Sequence, residues 1–537
     1  MKTEIVAINA KNVHKALAPW RLKAYCEGMG VGGIGVIEAT VNDNVIETVA
    51  KIYKAAPSVV GLSCCIWNID YVNKVGGLLK KLLPEVKVVL GGPEVSFEED
   101  LSGFPFADYI IRGAGETAFF ELLKDIENNV EPQRKIIDGG CENFDSFPSP
   151  YTEDYFKSFE GNQIPHIENQ LIYFESSRGC PFSCSYCLSS VAKDLQYLSL
   201  ERTKNELRLL TEKGAKCVKF VDRTFNADKK RAKEILQFVY SLQTDCTFHF
   251  EAAADLFDEE MLQIIEKMPP CRVQFEIGLQ SVNENVLSAT GRKTDTAKVL
   301  ANISRLTSFQ NCHIHVDLIA GLPLETPETF AEAVNKCIGC RPHMLQLGFL
   351  KMLKGARIRK ENAFGEVFAP FAPYEVVKTG TMTFADIVKL KAIENVIEKF
   401  YNSGAFAFTL EYAFKLFTPY DFFEKFADYC RGANFKVSMK TAYTVLTEFL
   451  LSYGDKREIE HGVKLDCFTV DYRSLPNGIK TRRNKQAEAL YRAQTGRSGN
   501  FRIEFFEFEN AHKLLDFDSK NAVTHRFEVR DISVADL

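Results

Sequence analysis

The chain has 537 residues, 46% of them hydrophobic and 26% charged, and carries a net charge of −5. That length suits three or four domains with large apolar cores, and the mild acidity argues against a general polyanion binder, so nucleic acid is not an expected partner. No apolar run is long enough to span a bilayer, and fifteen cysteines without a signal peptide read as reduced thiols of a cytoplasmic protein rather than a disulfide framework.

Residues 1–125 alternate β-branched apolar runs with helical-period segments. Glu4-Ile5-Val6-Ala7-Ile8 predicts a strand, the segment from His14 to Glu27 a helix, and residues 59–63, 86–90 and 109–112 further strands. Such alternation predicts a doubly wound, flavodoxin-like parallel sheet with ligand loops at the carboxyl ends of its strands. Three of those loops are rich in glycine or polar residues: Ser63-Cys64-Cys65-Ile66-Trp67-Asn68, Gly91-Gly92-Pro93-Glu94 and Arg112-Gly113-Ala114-Gly115-Glu116. Glycine lets a ligand approach the backbone and amides at helix starts suit phosphate, a pattern that by itself fits many nucleotide binders. Residues 126–168, with Phe147-Pro148-Ser149-Pro150-Tyr151, form a polar, proline-containing stretch that predicts a linker draped on the surface.

The stretch that follows carries the chemistry. Gly179-Cys180-Pro181-Phe182-Ser183-Cys184-Ser185-Tyr186-Cys187 places three cysteines at C-x3-C-x2-C spacing after the apolar run Leu171-Ile172-Tyr173-Phe174. Three thiolates in so short a loop converge on one small object, and soft sulfur suits an iron–sulfur cluster. A four-iron cluster would be left with one iron open to a chelating ligand, and Tyr186 sets an aromatic where a flat adenine can rest. A structural zinc site is the alternative, but it wants four protein ligands in paired spacings. Downstream, βα units recur, with strands expected at 171–175, 216–222, 247–251, 274–278, 313–319 and 344–350. Six units over residues 169–365 predict a partial (β/α)6 barrel with its chemistry at the carboxyl edge.

Residues 366–537 read as mainly helical, from the apolar spacing in 386–400 and 420–429. Lys480, Arg482, Arg483, Lys485, Arg492 and Arg497 then form a basic stretch that predicts a solvated face, ahead of a strand-like run at 501–509.

The cysteine loop, with its aromatic and preceding strand, closely resembles that of the radical S-adenosylmethionine (SAM) superfamily, and the upstream loops look like the cobalamin-binding domain fused to many of its members. The resemblance implies that Cys180, Cys184 and Cys187 ligate a [4Fe-4S] cluster whose open iron binds SAM, which one-electron cleavage turns into an adenosyl radical. It implies SAM contacts from Asp222, Glu276, Gln280, Ser281, Ala320, Gly321 and Leu350, at the ends of strands two, four, five and six. It implies cobalamin contacts from Ser63, Trp67, Gly91, Gly92, Pro93, Glu94, Gly113 and Glu116. The Asp-x-His-x-x-Gly pattern that supplies a cobalt-ligating histidine is incomplete around His14, which lacks both its aspartate and its glycine. The lower cobalt face is therefore left between the Trp67 loop and His14. The carboxy-terminal part resembles a helical extension of one subgroup and is expected to cap the barrel and select the substrate.

The expected activity is a cobalamin-dependent methyl transfer to an unactivated carbon, fed by an electron donor such as flavodoxin or ferredoxin and requiring anaerobic handling. A rearrangement or cyclisation without methyl transfer is the enzymatic alternative, and a cobalamin- or redox-sensing module the nonenzymatic one. Methylthiolation of tRNA would want a second set of cluster cysteines and a basic RNA-binding domain. Substrate and oligomeric state are left open.

Overall fold

A computed structural model describes residues 1–140, 143–160, 166–191, 194–431, 437–470 and 475–533. The chain forms two compact units: Met1–Ile264, Thr290–Lys293 and Leu350–Val377 make the first, and Ile265–Ala289, Thr294–Phe349 and Lys378–Leu537 the second.

The first unit opens with β1 (Thr3–Asn9), β2 (His14–Lys15), β3 (Ile34–Thr40), β4 (Val59–Ser63), β5 (Lys87–Gly91), β6 (Tyr109–Arg112) and β7 (Ile136–Asp138). Six of them form a parallel sheet in the order β3-β1-β4-β5-β6-β7. The intervening helices are α1 (Ala18–Gly28), α2 (Val45–Ala55), α3 (Ile69–Leu82) and α4 (Glu116–Glu127). Alternation along each strand feeds two cores: Val6, Ile8, Leu62 and Leu90 pack with Val72 and Leu79, while Ile5, Val59 and Val89 pack with Phe119 and Leu122. Sequence periodicity anticipates this doubly wound sheet but misses β3, α2 and β7, the last in the stretch expected to be a linker.

His14 does not open a helix. It lies in β2, which leaves the N-terminal sheet to pair in parallel with β8 (Leu171–Phe174), His14 opposite Leu171 and Lys15 opposite Ile172. The helix starts only at Ala18, with Pro19 in its first turn, where a missing amide proton costs nothing.

Beyond the sheet, β9 (Ser177–Arg178) and β10 (Gln196–Tyr197) pair antiparallel at the two ends of the cysteine loop. β11 (Cys217–Phe220) lies between β8 and β12 (Thr247–Ala252), all parallel.

The stretch expected to drape on the surface is instead packed. Within residues 143–160, Phe144, Phe147, Tyr151, Tyr155 and Phe159 are all buried, and the Tyr151 hydroxyl donates to the Tyr173 carbonyl at 2.8 Å. The parts of that stretch at 141–142 and 161–165 lie outside the described residues. Its polar composition hides the packing, because the apolar contribution comes from spaced aromatics rather than from a run. Lys15 is buried with them, its ammonium 3.3 Å from Glu38 and over the rings of Trp20, Tyr155 and Phe159 at 5.1, 5.8 and 4.8 Å.

In the second unit β13 (Val273–Gln280), β14 (His313–Ala320) and β15 (Met344–Phe349) form a parallel run. Helices at Phe384–Val396, Ala407–Leu416, Pro419–Tyr429, Met439–Leu451, Lys456–Val470 and Lys485–Thr495 follow, as expected for a mainly helical region. The strand-like run becomes the first member of a three-stranded antiparallel sheet, Phe501–Phe506, Ala511–Lys520 and Phe527–Ile532. Three of the basic residues are paired locally: Arg482 with Glu507, Arg483 with Glu488 and Arg497 with Asp516. That supports a solvated face over an anion-binding patch.

Lys15→Ala strands the Glu38 carboxylate in a buried place and is expected to cost about 3 kcal/mol, whereas Lys15→Ala with Glu38→Leu recovers most of that loss. Thermal melts of the full chain check the difference.

Candidate functional site

The cysteine loop is held at its root by a buried carboxylate. Asp222 Oδ1 accepts from the backbone amides of Ser176 and Ser177 at 2.7 and 3.0 Å, and Oδ2 accepts from the Ser176 hydroxyl at 2.5 Å. Burial pushes this carboxyl up and the serine bonds pull it back in part. Expected at the amino group of a ligand, Asp222 is committed to shaping the turn that leads into the cysteines.

Arg178 fixes the start of the loop from the other side. Its guanidinium forks onto Glu116 through both terminal nitrogens, meets Glu175 Oε1 through Nε at 3.1 Å, and lies 4.5 Å over the Phe144 ring. Burial alone would lower its pKa, but Glu175 and Glu116 more than offset that and hold the charge firmly. Because Glu116 opens α4, this ion pair ties the cysteine loop to the glycine-rich edge of the N-terminal sheet.

Within the loop, Cys180 and Cys184 are buried and Cys187 is half-buried. Thr224 Oγ1 lies 3.6 Å from Cys180 Sγ and Arg292 Nη1 lies 3.8 Å from Cys184 Sγ. The Ser185 amide donates to the Thr290 carbonyl at 2.8 Å, and the Ile358 amide donates to the Ser185 carbonyl at 3.0 Å. Gly291, at φ +66°, passes so close that a Cβ there would meet the Ser183 carbonyl at 3.2 Å. The donor set fits an anionic iron–sulfur cluster: three sulfurs on a pinned loop, with a cation beside one of them. By contrast, burial pushes the Cys26, Cys65 and Cys312 thiols up to about 12, which leaves them neutral. The expectation that no C-x2-C pair lies outside the cysteine loop, which counted against zinc, is wrong: Cys337 and Cys340 form one. Both are buried, and Cys340 Sγ donates to the Leu300 and Lys336 carbonyls at 3.4 Å, so the pair serves packing.

The sheet's carboxyl edge offers a cradle. Gly92 sits at φ +110°, and a Cβ there would lie 2.5 Å from the Cys64 carbonyl oxygen, so only glycine keeps this turn. Ser63 and Gly91 are half-buried, while Pro93 and Gly113 are exposed. Trp67 is 55% exposed although its indole N–H donates to the Ile8 carbonyl at 3.3 Å, leaving a fixed aromatic face outward. Buried Asn68, which sequence reading did not single out, holds that loop by donating to the Ile8 and Ser63 carbonyls at 2.9 Å. These features fit a large flat ligand lying on the edge. Two residues expected there are spoken for: Glu116 by Arg178, and Glu94 by the Tyr374 hydroxyl and by Lys354 at 3.3 Å. His14 is also engaged, its Nδ1 2.9 Å from the Tyr173 hydroxyl, and burial lowers its pKa.

Leu350 is buried in the first unit, its carbonyl accepting from the Val376 amide at 2.8 Å. In the second unit, Glu276 and Gln280 are half-buried, with Gln280 at φ +68° where the β13–β14 register shifts. Ala320 ends β14 and Gly321 follows it at φ +81°. Ser281 is fully buried and donates to Glu325 Oε1 at 2.7 Å. Burial raises the Glu325 carboxyl to about 8, with the serine bond opposing it. Arg178, Thr224 and Arg292 carried no local pattern that could have marked them.

Residues 3–123 match the B12 binding domain, 174–337 the Radical SAM superfamily and 362–531 the family described as protein of unknown function (DUF4080). Among curated relatives, the uncharacterized methyltransferase PH0819 of Pyrococcus horikoshii is 28% identical over 55% of this chain and 67% of its own length. The cobalamin-dependent radical SAM methyltransferase TokK of Streptomyces tokunonensis is 26% identical over 55% of this chain, which spans about half (47%) of that relative. The fold is shared with solved OxsB, a cobalamin-dependent SAM radical enzyme (TM-score 0.60, 14% identity, 86% of this chain and 78% of OxsB). It is also shared with TsrM of Kitasatospora setae, a radical SAM methyltransferase (TM-score 0.54, 15% identity, 68% of this chain and 78% of TsrM).

Two outcomes are expected. Cys184→Ala, reconstituted anaerobically, should fall from about four irons per chain to below about one while still binding hydroxocobalamin, read by iron analysis and visible spectra. Glu325 has its folded pKa above its unfolded value of 4.5, so the stability linked to it is full below about 4.5 and is lost as pH rises toward about 8. Glu325→Gln should flatten that slope in melts from pH 5 to 9, and an unchanged slope refutes the assignment.

Proposed function

From its matches to the B12 binding domain and the Radical SAM superfamily we propose that this chain is a cobalamin-dependent radical SAM methyltransferase acting on an unactivated carbon. The observation that carries this reading is the Arg178–Glu116 ion pair, which couples the cysteine loop directly to the first turn of α4 on the corrin-type edge. When bound, the [4Fe-4S] cluster with SAM supplies one-electron chemistry and cobalamin supplies a transferable methyl group. The protein's task is to hold and align these groups and to keep water out.

In this reading Cys180, Cys184 and Cys187 hold the cluster, and Arg292, 3.8 Å from Cys184 Sγ, offsets its negative charge. Ser63, Gly91, Gly92, Pro93 and Gly113 would line the edge that holds cobalamin, with the exposed Trp67 ring offering it an aromatic face. Glu94 and Glu116 support the edge through Lys354, Tyr374 and Arg178 rather than touching the ligand. Gln280, Ala320 and Gly321 are the proposed SAM contacts of the second unit. Residues 366–537 select the substrate. A low-potential donor such as flavodoxin or ferredoxin, a cytoplasmic setting and anaerobic handling follow from the same chemistry. Among the described residues no helix is long and apolar enough to cross a membrane.

Incubating the reconstituted protein and hydroxocobalamin with SAM deuterated at its methyl group, under a strong reductant, tests the reading without knowing the substrate. Mass spectrometry should find methylcobalamin three mass units heavy, and a small-molecule extract added to the reaction should yield a product carrying the same label. Release of 5′-deoxyadenosine with no label on corrin or product would favour rearrangement instead.

A further inference from the structure

The inner faces of β13 and β14 carry a polar set outside the cysteine loop and the corrin edge. Glu276 on β13 is the register partner of His315 on β14, and Asp317 lies two residues further along β14. Alternation turns His315 and Asp317 to one face, while their neighbours Val316 and Leu318, like Phe275 and Ile277 on β13, are buried on the other. One donor atom from each of Glu276, His315 and Asp317 lies within 4.8 Å of the other two, and His315 Nε2 is 3.3 Å from Asp317 Oδ1. Gln346 on β15 is the register partner of Asp317 and adds a neutral oxygen donor on the same face.

Two carboxylates, half-buried, and one buried imidazole thus converge on one small volume. A mixed nitrogen-and-oxygen donor set from three side chains is the composition of a site that holds a divalent metal and leaves further positions for water or a substrate oxygen. We propose that Glu276, His315 and Asp317 bind a divalent transition-metal ion of the zinc or manganese class, distinct from the iron of the cysteine loop. Glu276 then serves this ion rather than SAM. The proposal stands apart from the methyl-transfer reading, since it concerns metal retention and not turnover.

The full-length protein is first reconstituted with its iron–sulfur cluster, so that the cysteine sulfurs are occupied. It is then dialysed against zinc or, separately, manganese, desalted and analysed for metals by plasma mass spectrometry. The expected result is about one equivalent of zinc or manganese retained, falling at least about fivefold in Glu276→Gln/Asp317→Asn with iron content unchanged. Retention of neither metal by the wild type overturns the site, as does equal retention by the double variant. Should the double variant lose iron as well, His315→Gln held to the same iron standard replaces it, with the wild-type melt as the deciding measurement. A rise of several degrees on adding zinc or manganese supports the site, and no rise overturns it.

Discussion

One guanidinium organises the first unit. Arg178 sits at the neck of the cysteine loop and forks onto Glu116 at the start of α4 while meeting Glu175 at the end of β8. Removing such a charge from water is expensive and is offset only by well-directed ionic bonds, which is why a planar, permanently charged donor suits this place. Phe144 completes the arrangement by stacking beneath both Arg178 and Arg21, the latter paired with Glu175 at 2.9 Å. The aromatic strap, the first strand of the barrel and the glycine-rich edge therefore share one ionic knot, and the position of the cysteines follows from it.

Carboxylates in this protein divide by task. Asp222, Glu94 and Glu116 look like ligand contacts because they stand at strand ends, yet each is consumed in fixing a loop. Glycine-rich loops have little of their own to hold a shape, so side chains at their margins supply the bonds. What is then left for ligands at the sheet edge is backbone and aromatic surface, with Trp67 held outward by Asn68 and the Ile8 carbonyl.

The cysteine triplet was legible because its spacing is a chemical constraint written within eight residues, and most strands were legible from β-branched runs. What escaped depends on distant partners. His14 reads as a helix opener from its neighbours and becomes a strand residue only because β8 offers an open edge. The strap around Tyr151 and Tyr155 reads as a surface linker because its aromatics are spaced by polar residues, and their burial depends on Lys15, Trp20 and Tyr173. β3 was missed because Ile34-Gly35-Val36-Ile37-Glu38-Ala39-Thr40 mixes glycine and a carboxylate into its apolar pattern, and Glu38 is there to meet Lys15. Arg292 approaches Cys184 from 108 residues away, a proximity that no local window reveals.

The two-residue strand β2 has a bearing on how the molecule can be taken apart. Since it caps the outer side of β8, the family boundaries along the chain are not the places where it can be cut. A fragment beginning after residue 168 would present β8 with unpaired amides and carbonyls along a β-branched, aromatic strand, an invitation to self-association. A corrin-type fragment ending near residue 125 would in turn carry a stranded His14–Lys15 segment and a lysine that keeps Trp20 but loses the Tyr155 and Phe159 rings. The two halves of the cofactor apparatus are thus sewn together by the backbone itself, which favours their inheritance as a single piece.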